Sequence, residues 1–179
     1  AYVVYGTTST NTFELSDLEH GLMEGGFSIH GASSNDRLGK VSAAGDVNGD
    51  GFDDVIVGAY NSESHYQDRA GQAYVIFGSA NRTSRVRVSD FDDSGDGIEN
   101  GSGIGFVIHG VEALDKIGNN VSAAGDVNGD GYDDVIVGHY LSDHNGYQSG
   151  SAYVVFGSTK PGDTYLFDYN FQYGVGNGF

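Results

Sequence analysis

Two stretches of nine residues carry the chemistry of this chain. Asp46-Val47-Asn48-Gly49-Asp50-Gly51-Phe52-Asp53-Asp54 returns as Asp126-Val127-Asn128-Gly129-Asp130-Gly131-Tyr132-Asp133-Asp134. Their common spacing, D-x-N-x-D-G-x-x-D, sets oxygen side chains at positions one, three, five and nine of a tight turn. Position seven can add a backbone carbonyl. Glycine stands at position six, where the bend needs angles that only glycine takes freely. A flexible cage of six to eight oxygens is what calcium requires. One Ca2+ is therefore expected on Asp46, Asn48, Asp50, Asp54 and the Phe52 carbonyl, and a second on Asp126, Asn128, Asp130, Asp134 and the Tyr132 carbonyl. Asp53 and Asp133, at position eight, are expected to point away. Two carboxylates about 4 Å apart repel by roughly 4 kcal/mol at an effective dielectric near 20, and each turn gathers three. An acidic hairpin turn would explain one copy, because Asn-Gly and Asp-Gly are common hairpin dipeptides. Two copies with every oxygen in place argue for the ion.

The elements around these turns are strands. An EF-hand would need an acidic residue at position twelve, which here is Val57 and Val137. Each turn instead closes at position nine and runs into Val55-Ile56-Val57 or Val135-Ile136-Val137, β-branched runs suited to strands. The surrounding sequence repeats every 79 to 80 residues: Val41 to Gly45 returns as Val121 to Gly125, Val55 to Tyr60 as Val135 to Tyr140, and Ala73 to Ser79 as Ala152 to Ser158. Ala1 to Thr7 is a third copy of that last element. Each unit reads as four short strands, near 41–46, 54–60, 73–78 and 104–109. The second and third are apolar at nearly every position, so both faces should be buried. Four-stranded units with covered faces are β-propeller blades. The connecting segments 7–26 and 79–103 read as polar linkers, and only 13–22 has a weak helical period.

The bulk numbers narrow the partners. The chain has 179 residues, 25 acidic against 8 basic, and a net charge of −17. Nucleic acid and anionic membrane surfaces need clustered Lys and Arg, so neither is an expected partner. Each turn holds four of the acidic residues, charge that calcium would compensate. There is no cysteine, which excludes disulfides, thiolate zinc sites and thiol nucleophiles. No apolar run approaches the ~18 residues of a membrane span, and no membrane insertion is expected. The first residues already read as a strand, so the chain is expected to start and stop mid-structure.

The motifs together resemble the FG-GAP repeat, which builds the N-terminal propeller of integrin α subunits and of many bacterial surface proteins. Phe77-Gly78 and Phe156-Gly157 match its first signature, with Tyr5-Gly6 as a variant. Gly58-Ala59-Tyr60 and Gly138-His139-Tyr140 stand where Gly-Ala-Pro is usual. The resemblance implies an all-β fold: a partial propeller over 1–179, with blades of four antiparallel strands. Residues 1–31 would end a preceding blade, 32–110 would form a full repeat, and 111–179 a second, truncated one. Open blade edges would then pair between copies. The resemblance also implies an extracellular or cell-surface module for adhesion or protein recognition, with no enzymatic activity. Its ligand would be a protein or glycan of a cell surface or matrix, taken on the face opposite the calcium turns. A lectin propeller and a non-catalytic accessory of a secreted hydrolase are the alternatives.

Other candidates are weaker. Residues 92–100 repeat the loop template with Asp92, Ser94, Asp96 and Asn100 as a weak third calcium site, the closing charge lost. His30 and His109 are repeat-equivalent and follow apolar strands, which favours structural roles. His139 and His144 flank the second blade's loop with Asp143, a thin basis for zinc. Tyr165, Phe167, Tyr169, Phe171 and Tyr173 alternate as one face of a strand would.

Overall fold

The computed structural model describes residues 1–6, 14–20, 25–63, 68–80, 85–91, 103–110, 112–143, 146–159 and 164–166. The expected third calcium loop at 92–100, His144 and the aromatic run beyond 166 lie outside them.

The described residues are nearly all β outside their turns, as the repeat pattern predicts, and their strands form three sheets that follow one another as blades of a partial β-propeller. Blade two is the complete one. β3 (Leu38–Gly45), β4 (Asp54–Ala59), β5 (Gln72–Ile76) and β7 (Gly105–Gly110) pair antiparallel in that order. Blade one contributes β1 (Tyr2–Val4) and β2 (Gly26–His30), the counterparts of β5 and β7. Blade three contributes β8 (Asn120–Gly125), β9 (Asp134–His139) and β10 (Ser151–Val155).

Two-faced burial explains the continuous apolar runs. In β4, Ile56 faces blade three and Val57 faces blade one. In β5, Ala73 and Val75 go one way, Tyr74 and Ile76 the other. The core between blades two and three also holds Phe106, Ile108, Ile117, Val135 and Val137, all with 1% exposure or less. Each such side chain removed from water contributes about 1.5–3 kcal/mol, so the interfaces between blades are the core of the molecule.

Two short strands lie outside the four-strand unit, one in segment 79–103, expected as a polar linker, and one at Tyr165, where the aromatic alternation is expected to form a strand face. β6 (Val86–Arg87) pairs parallel with β2, and β11 (Thr164–Leu166) pairs parallel with β7. Blade two is thus four antiparallel strands with a short parallel strand added outside the fourth, and blade one carries the same addition on β2. Arg85-Val86-Arg87-Val88 does alternate exposed and buried, but two paired residues are too few to register as a periodic strand. A helical turn, α1 (Leu15–Glu19), packs Leu18 into the interior at 1% exposure, and a 3-10 turn follows β6 at Val88–Asp90.

The candidate metal centre

Both acidic loops sit in the turn from the first to the second strand of their blade, between β3 and β4 and between β8 and β9. A β-bulge precedes each. The register slips between Ala43 and Gly45, and again between Ala123 and Gly125, with Gly45 at φ 74° and Gly125 at φ 71°. The extra residue bends the strand and delivers Asp46 and Asp126 into the turn.

Inside the first loop, Asp46 and Asp50 are held by backbone amides. Gly49 and Asp50 N–H groups donate to Asp46 Oδ1 at 2.8 and 3.0 Å, and Gly51 N–H donates to Asp46 Oδ2 at 2.9 Å. Asn48 Oδ1 accepts from Asp50 N–H at 3.0 Å while its amide donates to Asp50 Oδ2 at 2.9 Å. Phe52 N–H donates to Asp50 Oδ1 at 2.9 Å. The second loop repeats this bond for bond on Asp126, Asn128, Asp130 and Tyr132, at 2.7 to 3.0 Å.

The closing residue does a different job. Asp54 is buried, and its two oxygens accept from Val47 N–H at 2.9 Å and from Gly78 N–H at 2.8 Å. Asp134 does the same with Val127 at 2.8 Å and Gly157 at 2.9 Å. Gly78 and Gly157 are the glycines of the two Phe-Gly signatures. A side chain on Gly78 would meet the Asp53 carbonyl at 2.4 Å, and one on Gly157 the Asp133 carbonyl at 2.4 Å. The Phe-Gly glycine is therefore small so that the end of the third strand can reach the acidic loop and clamp its last carboxylate. Burial pushes the Asp54 carboxyl up to about 6, with Asp50 and Asp46 adding to the rise, while the two amide bonds oppose it.

Among the described residues, no three acidic or histidine side chains close tightly enough to hold an ion by themselves. The donor set nevertheless fits a hard divalent cation. Each loop offers three carboxylates, one amide oxygen and peptide carbonyls, with no sulfur or imidazole, the combination that suits calcium or magnesium and not zinc or copper. The amide cradle holds the Asp46 and Asp126 carboxylates in place within their turns.

Position eight is not idle in the second loop. Asp133 turns away from its own cage and lands on the neighbouring blade: its Oδ2 accepts from Asp46 N–H at 2.9 Å, and its own N–H donates to the Asp46 carbonyl at 3.1 Å. A Cβ on Gly45 would strike that carboxylate at 2.2 Å, and one on Gly49 would strike the Tyr132 ring at 2.4 Å. The second loop thus docks on the first. Asp53 is simply exposed. Spacing within one repeat cannot show a contact made between repeats. Asp133→Ala is expected to lower stability by about 1 kcal/mol, the usual net loss of one hydrogen bond. Asp53→Ala should stay within about 0.5 kcal/mol, as exposed substitutions do. Urea unfolding in saturating calcium checks the pair, and equal effects would remove the inter-loop role.

His30, His109 and His139 each have a polar neighbour within the fold. His30 Nε2 lies 2.9 Å from Ser28 Oγ. His109 Nδ1 lies 3.1 Å from Gln72 Nε2, whose oxygen in turn accepts from Tyr74 at 2.8 Å. His139 Nε2 lies 3.2 Å from Asp115 Oδ1, and both are buried. His139 and Asp143 bring no metal set together.

The strand directions put residues 31–37, 60–63, 68–71 and 112–117 at the end opposite the acidic turns. There a cleft of about 770 Å³ opens between blades one and two. Tyr74 and Phe91, edge to face with centroids 5.5 Å apart, line it, and Asn35, Asp36, Asn61 and Arg69 stand around them.

Comparison with known proteins agrees with this arrangement. The FG-GAP repeat model matches twice, over residues 39–76 and 118–155. The chain is similar to integrin alpha pat-2 of Caenorhabditis briggsae, 33% identical over 67% of this chain and 9% of that protein. It is also similar to integrin alpha-PS2 of Drosophila melanogaster, 28% identical over 74% of this chain and 8% of that protein. A third relative, phosphatidylinositol-glycan-specific phospholipase D of Bos taurus, is 29% identical over 69% of this chain and 14% of that enzyme. The chain thus spans about a tenth of the length of the relatives it matches.

Proposed function

We propose, from the premise that this chain belongs to the FG-GAP repeat family, that it is part of a recognition propeller held rigid by calcium. The ions sit in turns 46–54 and 126–134, on Asp46, Asn48, Asp50, Asp54 and their repeat equivalents. The opposite end receives a protein or glycan ligand. The observation that carries this reading is the bond-for-bond identity of the two loops, which hold the same oxygens in the same cradle 80 residues apart. Calcium contributes no reaction here; it offsets the gathered carboxylates and stiffens the junction of each blade's first two strands.

An extracellular or surface setting goes with this role, because sites built this way in extracellular modules bind in the 10⁻⁴–10⁻³ M range found outside cells. No helix among the described residues is long and apolar enough to cross a membrane. No catalytic step is assigned: His109 and His139 are 1% and 2% exposed and closed to substrate. The likeness to a phospholipase D supports one second reading, a non-catalytic companion to a hydrolase elsewhere in a longer chain.

Isothermal titration of the metal-free chain with calcium is expected to give two sites per molecule. Asp50→Ala and Asp130→Ala should each remove one. Binding that ignores both substitutions would overturn the metal assignment.

A further inference from the structure

The two acidic loops are alike inside and unlike outside. Each holds its own carboxylates with the same set of amide bonds. Their surroundings differ. A Cβ on Gly45 or Gly49 would strike Asp133 or Tyr132 of the next blade, whereas one on the equivalent Gly125 or Gly129 would meet nothing within 4 Å. Val47 is fully buried, and Val127, which stands at the same position of the second loop, is 59% exposed. Among the described residues, then, the first loop is covered by the blade that follows it and the second is open on that side.

The cover grips the backbone that carries the first ligand. Asp46 is held on both sides of its Cα: its N–H donates to Asp133 Oδ2 at 2.9 Å, and its carbonyl accepts from the Asp133 N–H at 3.1 Å. The next carbonyl, that of Val47, accepts from the Ser158 N–H at 3.0 Å. Three hydrogen bonds from blade three thus fix two successive residues at the entrance of the first cage. Asp126 and Val127 receive no such bonds from another blade among the described residues. Asp133 is half-buried at this junction, while its repeat equivalent Asp53 is exposed.

We propose that Asp133 is a positioning residue for the calcium site at 46–54, supplied by the neighbouring blade, and that it makes this site the tighter of the two. This rests on the reading of both turns as calcium sites. Asp133 belongs to neither ligand set and acts through Asp46. A ligand whose backbone is already fixed loses less freedom when the ion takes it, and preorganisation raises affinity by cutting that cost. The two cages offer the same residue types at the same spacing, so a difference in affinity has to come from what holds them from outside.

The test is calorimetry of the full chain with calcium chloride, one site at a time. Asp130→Ala leaves the site at 46–54, and Asp50→Ala leaves the site at 126–134. The first variant should bind about 5- to 10-fold more tightly than the second, the lower end of couplings between sites. Adding Asp133→Ala to the first should remove that advantage, again about 5- to 10-fold. Adding it to the second should change affinity by no more than about twofold, as for independent groups. Asp133→Asn keeps an oxygen acceptor for the Asp46 N–H and gives up the charge, so it should restore most of the affinity at 46–54. Asp53→Ala should change neither site. Equal affinities in the two single-site variants would overturn the proposal even where Asp133→Ala fails to fold. So would Asp133→Ala weakening both sites alike, which is what a general loss of stability would do, or Asp133→Asn behaving as alanine does, which would make the effect one of charge. Two equal sites would leave the calcium reading standing and remove only the role of Asp133; no calcium binding in the wild type would remove both.

Discussion

Adding EDTA to the calcium-loaded chain is expected to lower its melting temperature by roughly 10–20 °C. At calcium a hundredfold above its dissociation constant, each site adds about 2.7 kcal/mol by mass action. For a chain of this size each kcal/mol moves the midpoint by roughly 2–4 °C. The effect is large because the loops carry it on both sides of the equilibrium. With the ion, the oxygens of Asp46, Asn48, Asp50 and Asp54 are satisfied together. Without it, three carboxylates remain in one turn, and the Asp54 carboxyl, pushed up to about 6 chiefly by its burial and further by Asp50 and Asp46, is left with only its two amide partners. Asp50→Ala or Asp130→Ala should remove about half of the calcium-dependent rise and change little in EDTA. Asp53→Ala, at an exposed position, should keep the full rise. Thermal unfolding of the four proteins in both buffers decides it. A wild-type midpoint identical in calcium and in EDTA would remove calcium from the account.

What could be read from the sequence is what repeats within one unit. The spacing of the acidic loops, the four strands of a blade and the two-faced burial of Val55 to Ala59 are local patterns, and the fold follows them. The contacts that join one blade to the next are not local. Asp133 on the Asp46 amide links residues 87 apart, and Lys116 on Asn61 links residues 55 apart. Neither pair has a spacing signature, because each joins residues of different repeats, and only stacking tells them what to meet. The parallel strand β6 escaped for a related reason. It gains its order from the fourth strand it lies against, at two residues of pairing, and has little pattern of its own, whereas β11 holds Tyr165 of the alternating aromatic run. The signature glycines were visible as letters, and the structure supplies their physical reason.

Gly58 shows that reason most sharply. Gly58→Ala is expected to cost about 3 kcal/mol or more, while the same change at the repeat-equivalent Gly138 should stay within about 1 kcal/mol. Both occupy the fifth position of the second strand, in Val-Ile-Val-Gly. A Cβ on Gly58 would lie 1.9 Å from the Gly118 carbonyl oxygen and 3.0 Å from the Gly118 Cα. Those are backbone atoms of the next blade. Gly118 cannot retreat, since at φ 81° a Cβ of its own would meet the Gln72 carbonyl at 2.3 Å. The two backbones touch because neither has a side chain, and a methyl group would wedge blades two and three apart along the core that Ile56, Ile117 and Val137 fill. Overpacking of this kind costs about 1–3 kcal/mol, occasionally more, and here no flexible side chain can absorb it. At Gly138 the nearest atom to a new Cβ is the Asn120 Cβ at 3.2 Å, a side chain at the start of β8 that can shift by a few tenths of an ångström. Alanine there also restricts the unfolded chain, which favours folding by about 0.4–1 kcal/mol where the backbone tolerates it. Urea midpoints at unchanged slope measure both. Equal losses at the two positions, or none at Gly58, would mean that the close approach of the blades does not depend on these glycines.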